Sequence, residues 1–171
     1  MLACLDVDYR STGAFSAAVT FHDWTDATAF EERVVHVANV QPYEPGQFYR
    51  RELPCLLAVL QTLPSIESVI IDGYVWLEGT SKPGLGAHLH QALNEQVPVI
   101  GVAKTSFRGA IGAREVLRGT SKRPLYITSA GMDAGVAAEH VRSMHGDHRI
   151  PTLLAQVDHI CTHENERRSK T

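Results

Sequence analysis

The sequence predicts a single α/β domain whose mixed central sheet carries helices on both faces. Three observations support this prediction: strand-like segments fill the first forty residues, a helical repeat follows, and apolar β-branched runs then alternate with helical segments. The chain has 171 residues, the usual length of one domain. We expect this domain to cover residues 1–163 and residues 164–171 to form a polar tail that frays.

Each predicted element has its own signal. Polar turns separate the first strands and favour an antiparallel meander, whereas apolar residues at helical spacing predict the first helix, which Pro54 should bend or restart. Asp133 is a plausible N-cap for a later helix. A meander followed by such alternation is also the order of ribonuclease H-like folds. The predicted strands are Leu2–Tyr9, Ala14–Phe21, Arg33–Val40, Ser68–Asp72, Pro98–Val102 and Pro124–Thr128, and the predicted helices are Gln47–Leu63, Gly84–Leu93, Asp133–Met144 and Thr152–His163.

Composition limits the classes of function. Lys and Arg number 16 against 19 Asp and Glu, so the net charge of -3 excludes a binder that holds nucleic acid by bulk positive charge. A local basic groove stays possible. One wall of such a groove, or equally a solvated loop, is predicted from the most concentrated basic residues, Lys104, Arg108, Arg114, Arg118, Lys122 and Arg123.

Other features bear on the compartment and on cofactors. Apolar runs are too short for a membrane span, and Asp6 lies where a signal peptide needs its apolar segment. Three widely spaced cysteines, Cys4, Cys55 and Cys161, favour buried thiols in a reducing cytoplasm. The short apolar runs also lead us to expect no membrane partner. The glycines around Gly84 lack the dinucleotide-binding pattern, so we expect no organic cofactor.

Carboxylates inside apolar strands are the most informative residues. Asp6 lies within the first strand, and Asp72 ends a run of β-branched residues. A buried carboxylate is costly unless it is paired, hydrogen-bonded or bound to metal, and Mg²⁺ prefers oxygen ligands. The alternative is that Asp6 lies at an exposed turn and Asp72 caps a loop. Asp8 has the same strand parity as Asp6 and could point the same way.

Several short segments together resemble the endonuclease V family of metal-dependent nucleases, which act on nucleic acid that contains inosine. They occur in the family's order and extend from Leu5 to Asp158. The segments are Leu5-Asp6-Val7-Asp8-Tyr9, Pro42-Tyr43-Glu44-Pro45-Gly46 with Arg51-Glu52, Ile71-Asp72-Gly73, Gly84-Leu85-Gly86-Ala87-His88-Leu89, Ile100-Gly101-Val102-Ala103-Lys104, and Arg149-Ile150-Pro151 with Asp158. The resemblance implies a ribonuclease H-like fold.

The resemblance also implies the site. It makes Asp6, Glu52, Asp72 and Asp158 the ligands of one or two Mg²⁺ ions, for which Mn²⁺ could substitute, and it brings Lys104 near the scissile phosphate. From the residues alone, Glu52 next to Arg50 and Arg51 would belong to a solvated ion-pair face, and Lys104 would be an exposed lysine at a strand end.

Recognition residues follow from the same resemblance. Pro42, Tyr43 and Pro45 correspond to a wedge that separates strands, and two prolines with a flat aromatic ring suit that role. The alternative is a rigid surface loop with a partly buried tyrosine. Phe48, Gly73 and Gly84 would contribute to a pocket for the flipped base, because glycine lets backbone groups approach a purine edge.

The implied activity is hydrolysis of a phosphodiester on the 3′ side of a deaminated purine in DNA or RNA, leaving a 3′-hydroxyl and a 5′-phosphate. The alternative is a non-catalytic or retuned relative that binds nucleic acid or a nucleotide. Departures from the family pattern favour altered binding, because they remove positive charge from the groove: Glu44 stands at the wedge tip, and Ala155 stands where a late arginine is expected.

Overall fold

The computed structural model describes residues 1–78, 81–108 and 111–163. Within these residues the strands are β1 (Leu2–Arg10), β2 (Gly13–Phe21), β3 (Glu31–Val37), β4 (Ser68–Asp72), β5 (Trp76–Glu78), β6 (Lys82–Pro83), β7 (Val99–Ala103), β8 (Arg114–Val116) and β9 (Leu125–Ala130). The helices are α1 (Tyr49–Leu60), α2 (Leu85–Ala92), α3 (Ala134–Ser143) and α4 (Thr152–Thr162). The predicted tail at residues 164–171 lies outside the described residues.

The central sheet has seven strands among the described residues, in the order β3-β2-β1-β4-β7-β9-β8. Strands β1, β2 and β3 form the predicted antiparallel meander. Strands β1, β4 and β7 are parallel neighbours, linked by α1 and α2 as crossovers. The sheet is therefore mixed, as the sequence predicts.

Helices cover both faces of this sheet, which confirms the predicted layers. Helices α1 and α2 pack on one face, and α3 and α4 pack on the other. Alternate residues of β1 show the division: Ala3 and Leu5 belong to the core under α1 and α2, while Leu2 and Cys4 belong to the core under α3 and α4. Asp6 has the parity of the second pair and so lies on the α4 side.

The third predicted strand is too long. Prediction carried it to Val40, whereas β3 ends at Val37. Val37 pairs with Ala14, close to the beginning of β2 at Gly13, so residues beyond Val37 have almost no strand left to pair with. The hydrophobic alternation continues past the point where the partner strand ends.

The strands after β7 also depart from simple alternation. Strand β8 rather than a helix precedes β9, and β9 runs antiparallel to both β7 and β8. The small β5–β6 sheet was likewise not predicted. Strands β5, β6 and β8 have only two or three residues each, too few for a period to show in the sequence.

Helix ends follow the sequence more closely. Asp133 is the N-cap of α3, and its Oδ1 accepts hydrogen bonds from the backbone N–H groups of Gly135, at 2.8 Å, and Val136, at 3.1 Å. At the other end of α3, Arg118 is only 5% exposed and its guanidinium donates to the carbonyls of Val141, Met144 and Gly146. Arg118 therefore caps a helix and does not belong to a basic groove, which corrects the prediction for this residue.

In the part of the chain that the structure describes, no helix has both the length and the apolar character that crossing a membrane requires.

Candidate functional site

The site lies where the parallel strands end. Leu5 of β1 pairs with Ile71 of β4, so the next residues along the two strands, Asp6 and Asp72, are neighbours. Asp72 in turn pairs with Val102 of β7, and Lys104 follows two residues later. Strand register alone therefore brings two aspartates and a lysine to one edge of the sheet, as the sequence predicted for the aspartates.

Helix α4 adds the fourth polar group. Asp158 faces a cavity of about 120 Å³ beside the strand ends, which we call the acid cavity. Its polar lining is Asp6, Asp72, Lys104 and Asp158, and its apolar lining is Leu5, Val102, Ile150, Leu154, Ala155 and Val157. The apolar residues were not predicted as part of the site, because nothing in their type distinguishes them from other apolar residues of the strands and of α4.

Glu52 approaches the same region from α1. Its residue is only 8% exposed, so the solvated ion-pair face considered for it is wrong. Burial, followed by the charges of Asp6 and Asp72, raises the pKa of Glu52 to about 8. Its Oε2 atom is buried and finds no hydrogen-bond partner among the described residues. A buried carboxylate oxygen in this condition calls for a cation or a proton.

The pKa of Asp6 is also raised. Burial is the largest cause, and the charges of Asp158 and Asp72, with a side-chain hydrogen bond to Asp158, add to it against the backbone hydrogen bond at Val7. The carboxyl groups of Asp6 and Asp158 are thus close neighbours, and each unfavourable charge adds to the effect of burial on the pKa of Asp6. The carboxylates repel one another, which is the electrostatic condition that a bound divalent cation relieves.

Lys104 supplies a positive charge to the cluster. Its Nζ donates to Oδ2 of Asp72 at 2.6 Å. Burial lowers the pKa of Lys104, but the hydrogen bond and charge of Asp72, then the charges of Asp158 and Asp6, outweigh it and raise the pKa overall. Lys104 is exposed at the end of its strand, as the alternative expected, and its side chain is at the same time paired with Asp72 in the acid cavity.

The donor set fits a hard divalent cation in its chemistry. Four carboxyl groups face one region, one of their oxygens is buried without a partner, and an ammonium group already neutralises part of their charge. In the arrangement seen, however, no three His, Cys, Asp or Glu side chains of the described residues surround a single point as ligands. The four carboxyl groups are therefore near one another without forming a coordination shell, and their role as metal ligands stays a prediction.

Asp8 is accounted for separately. It accepts a hydrogen bond from Nε of Arg10 at 2.7 Å, and it does not line the acid cavity. Arg10 also donates to the carbonyls of Cys161 and Thr162 at the end of α4. Although Asp8 shares the strand parity of Asp6, its partner Arg10 connects it to the C-terminal end of α4 and not to the acid cavity.

A second cavity of about 270 Å³ lies beside the first, and we call it the loop cavity. It brings together the three residues predicted for a base pocket, Phe48, Gly73 and Gly84, and Asp72 lines it as well as the acid cavity. Its other lining residues, which were not predicted for the pocket, are Gly46, Tyr49, Tyr74, Leu77, Lys82, Pro83 and Leu85.

Both predicted glycines of the loop cavity have a physical reason. Gly73 has a φ of +119°, a conformation that strains residues with a side chain. At Gly84 an added Cβ would lie 2.7 Å from the carbonyl oxygen of Tyr74, so only glycine lets these two backbone segments approach. The glycines thus shape the wall that the β5–β6 sheet and α2 share.

The predicted wedge loop is exposed. Pro42, Tyr43 and Pro45 all lie at the surface, and the Tyr43 residue is 60% exposed. Glu44 at its tip lies 3.5 Å from Nη1 of Arg50, an exposed pair. The alternative of a partly buried Tyr43 is wrong, and its ring is available to a partner.

The fold and the site together define the class of protein. It is a ribonuclease H-like α/β domain with carboxylates clustered at the ends of its parallel strands. The description "Endonuclease V" belongs to the family model that matches residues 1–145 of the chain. Among curated relatives, the Endonuclease V of Streptomyces coelicolor is 32% identical over 171 aligned residues, which cover 85% of this chain and 70% of the relative. The chain belongs to the Endonuclease V family.

Two further matches set the scope of this assignment. The Endonuclease V of Xylella fastidiosa is 36% identical over 112 residues, covering 64% of this chain and 45% of the relative. The chain thus spans about half the length of several curated relatives that it matches. The structure of Ciona intestinalis Endonuclease V, in complex with a 24mer DNA containing an inosine followed by a ribo-adenosine, has a TM-score of 0.82 at 18% identity. The match covers 97% of this chain and 86% of the Ciona chain, and it confirms the fold.

Proposed function

We propose that this chain is a divalent-metal-dependent endonuclease that hydrolyses the phosphodiester 3′ to a deaminated purine, inosine, in DNA or RNA. The observation that carries the proposal is the double position of Asp72, which lines both the acid cavity and the loop cavity. A base held in one cavity would place its own backbone against the carboxylates of the other. Family membership and the inosine-containing DNA bound to the Ciona relative support the choice of substrate.

The carboxylates Asp6, Glu52, Asp72 and Asp158 would hold Mg²⁺, or Mn²⁺ in its place. The ion would supply charge stabilisation at the leaving oxygen and would favour ionisation of the attacking water. Without an ion, the raised pKa values of Asp6 and Glu52 keep these groups partly protonated near neutral pH. Their deprotonated forms are the ones that accept the proton lost by the water.

Lys104 would neutralise the substrate. Its ammonium contacts Asp72 at the lip of the acid cavity and is about half exposed, so a phosphate oxygen can reach it without unfolding. Water attacks phosphorus, the bond from phosphorus to the 3′-oxygen breaks, and the products carry a 5′-phosphate and a 3′-hydroxyl. The lysine would offset the negative charge that gathers on the phosphate during this step.

Recognition would rest on the exposed wedge loop and the loop cavity. Tyr43, stiffened between Pro42 and Pro45, would stack in the space that the flipped base leaves. Phe48, Gly73 and Gly84 would line the pocket that receives the base, where backbone groups can contact its edge. We also propose a cytoplasmic location, because three cysteines are buried as free thiols.

The test compares oligonucleotides with and without inosine. Single- and double-stranded DNA and RNA are incubated with the protein in Mg²⁺, in Mn²⁺ and in chelator, and the product ends are identified by mass spectrometry. We expect cleavage only with metal and only 3′ to inosine. Tight binding to inosine without metal-dependent cleavage would instead support the non-catalytic relative, and equal nicking of all substrates would contradict the proposed pocket.

A further inference from the structure

Two side chains hold the backbone on which Lys104 is mounted. Strand β7 ends at Ala103, which pairs with Tyr126 of β9, so Lys104 and Thr105 lie beyond the ladder of the sheet. A lysine has a long flexible stem, and its ammonium can be placed reproducibly only if its backbone is fixed. Some other interaction must therefore replace strand pairing at this position.

Arg149 supplies the first of these interactions. Its Nη2 donates to the carbonyl of Lys104 and, at 2.7 Å, to the carbonyl of Pro124 just before β9. Arg149 also lies two residues before Pro151, the N-cap of α4. One guanidinium thus joins the end of β7, the entry to β9 and the beginning of the helix that carries Asp158.

Tyr74 supplies the second interaction, from another part of the fold. It lies in the loop that follows Asp72, and its hydroxyl donates to the carbonyl of Thr105 at 2.7 Å. Its ring also packs at a tilt against Phe107, with ring centroids 6.2 Å apart. Two consecutive carbonyls, those of Lys104 and Thr105, are therefore held by side chains from two different parts of the fold.

We propose that Arg149 and Tyr74 are positioning residues that fix Lys104 against Asp72 and so set the distance between the two walls of the acid cavity. Their role in catalysis rests on the proposed function, but their role in fixing the segment does not. Neither residue needs to touch substrate. Each acts through Lys104, and the two should therefore depend on the same lysine.

The first experiment needs no nuclease activity. Trypsin cleaves the peptide bond that follows a lysine. In the bond between Lys104 and Thr105, the carbonyl oxygen is the one that accepts the hydrogen bond from Arg149. Limited proteolysis of the metal-free protein, followed by mass spectrometry, measures the cleavage rate at this bond. We expect Arg149→Gln to raise the rate about tenfold and Tyr74→Phe to raise it several-fold, with Arg149→Lys near wild type.

The matched control is Arg123→Gln, which removes an exposed arginine one residue before Pro124. This variant should leave the cleavage rate at Lys104 unchanged. Thermal unfolding of every variant is recorded in parallel, so that faster proteolysis through global destabilisation is recognised. If Arg149→Gln does not fold, Tyr74→Phe, which removes only the hydroxyl that donates to Thr105, still decides the question. Equal rates in wild type, Tyr74→Phe and a folded Arg149→Gln would overturn the proposal.

The second experiment uses cleavage of inosine-containing DNA. Arg149→Gln should lower kcat roughly tenfold with KM almost unchanged, and Arg149→Lys should recover part of the loss. In a Lys104→Ala background the same substitution should have little further effect, because its route to the reaction is already gone. A full additional loss in that background would contradict action through Lys104. A wild type that cleaves nothing would refute the proposed function, while the proteolysis rates would still decide the positioning role.

Discussion

The two cavities that meet at Asp72 are built in different ways. The acid cavity takes its polar groups from the ends of paired strands and from helix α4, so register and packing fix their positions. The loop cavity and the wedge loop beside it depend on a left-handed glycine, a close backbone approach and an exposed aromatic ring. The proposed catalytic part of the site is thus fixed by the sheet and electrostatically unfavourable without a cation, whereas the proposed recognition part is exposed and carries little electrostatic cost.

This difference has a consequence for mutations. Substitutions in the acid cavity should change the rate of reaction strongly and can raise the stability of the metal-free protein, because they relieve repulsion between carboxylates. Substitutions in the wedge loop should change binding to nucleic acid and leave stability almost untouched. The following predictions take this contrast from its largest expected effect to its smallest.

The largest effect is expected at Asp72. Asp72→Asn removes a charge from the wall that the two cavities share, and cleavage of an inosine-containing strand should fall more than about 100-fold. The fold should persist, with a thermal midpoint equal to or above that of the metal-free wild type. Asp8→Asn is the control, because Asp8 comes from the same strand but pairs with Arg10. Comparable losses in both variants would remove the special position assigned to Asp72.

Glu52 provides a pH-dependent test of the electrostatic cost. Because burial raises its pKa from 4.5 to about 8, the folded protein binds more protons than the unfolded chain in this window, and stability should fall as pH rises through it. In chelator, the thermal midpoint of wild type should decrease by at least about 5 °C more than that of Glu52→Gln between pH 5 and pH 8.

The same titration repeated with Mn²⁺ sharpens the result. The ion should restore stability to wild type at pH 8 and should restore less to Glu52→Gln, since one ligand is missing. Identical pH profiles for the two proteins in chelator would mean that burial does not raise the pKa of Glu52 in the folded protein.

Tyr43 should show the opposite pattern. Tyr43→Ala should weaken binding to inosine-containing strands about tenfold, the value of one lost stacking contact, while the thermal midpoint stays within about 1 °C. Phe30→Ala is the matched control, because Phe30 is a similarly exposed aromatic residue at 63%. Fluorescence anisotropy in chelator measures the binding. An equal loss in the Phe30 variant would indicate a nonspecific effect of surface aromatics.

The smallest effect is expected at Glu44. This carboxylate lies at the tip of the wedge loop and is weakly paired with Arg50 at 3.5 Å. Glu44→Gln removes a negative charge that would face phosphates, so binding should become about two- to threefold tighter at low salt and less so at high salt. Unchanged affinity across the salt series would show that the tip of the loop does not approach the backbone.

The sequence predicts the acid cavity unevenly. Asp6 and Asp72 could be found from the residues alone, since a carboxylate inside an apolar strand has few explanations. Glu52 could not, because its neighbours Arg50 and Arg51 suggest a solvated helix face, and only the resemblance identified it. Its burial depends on how α1 packs against the sheet, which is a tertiary property that local sequence does not encode.

The basic residues show a similar limit. The clustering of basic residues in the sequence suggested a groove that includes Arg118, but the guanidinium of this residue donates hydrogen bonds to carbonyls at the end of α3. Lys104 lies in the same stretch of basic residues and yet enters the site, because it follows the end of β7 next to Asp72. Position in the sheet, rather than charge in the sequence, separates the two roles.

The central claim is that the carboxylates around Asp72 hold a divalent cation. A crystal grown with saturating Mn²⁺ and measured at the manganese edge tests it directly. We expect an anomalous peak between Asp6 and Asp72, within ligand distance of Glu52 or Asp158, and a lysine at position 104 that has moved away from Asp72. Density that lacks such a peak, with the ion pair of Lys104 and Asp72 intact, would contradict the account.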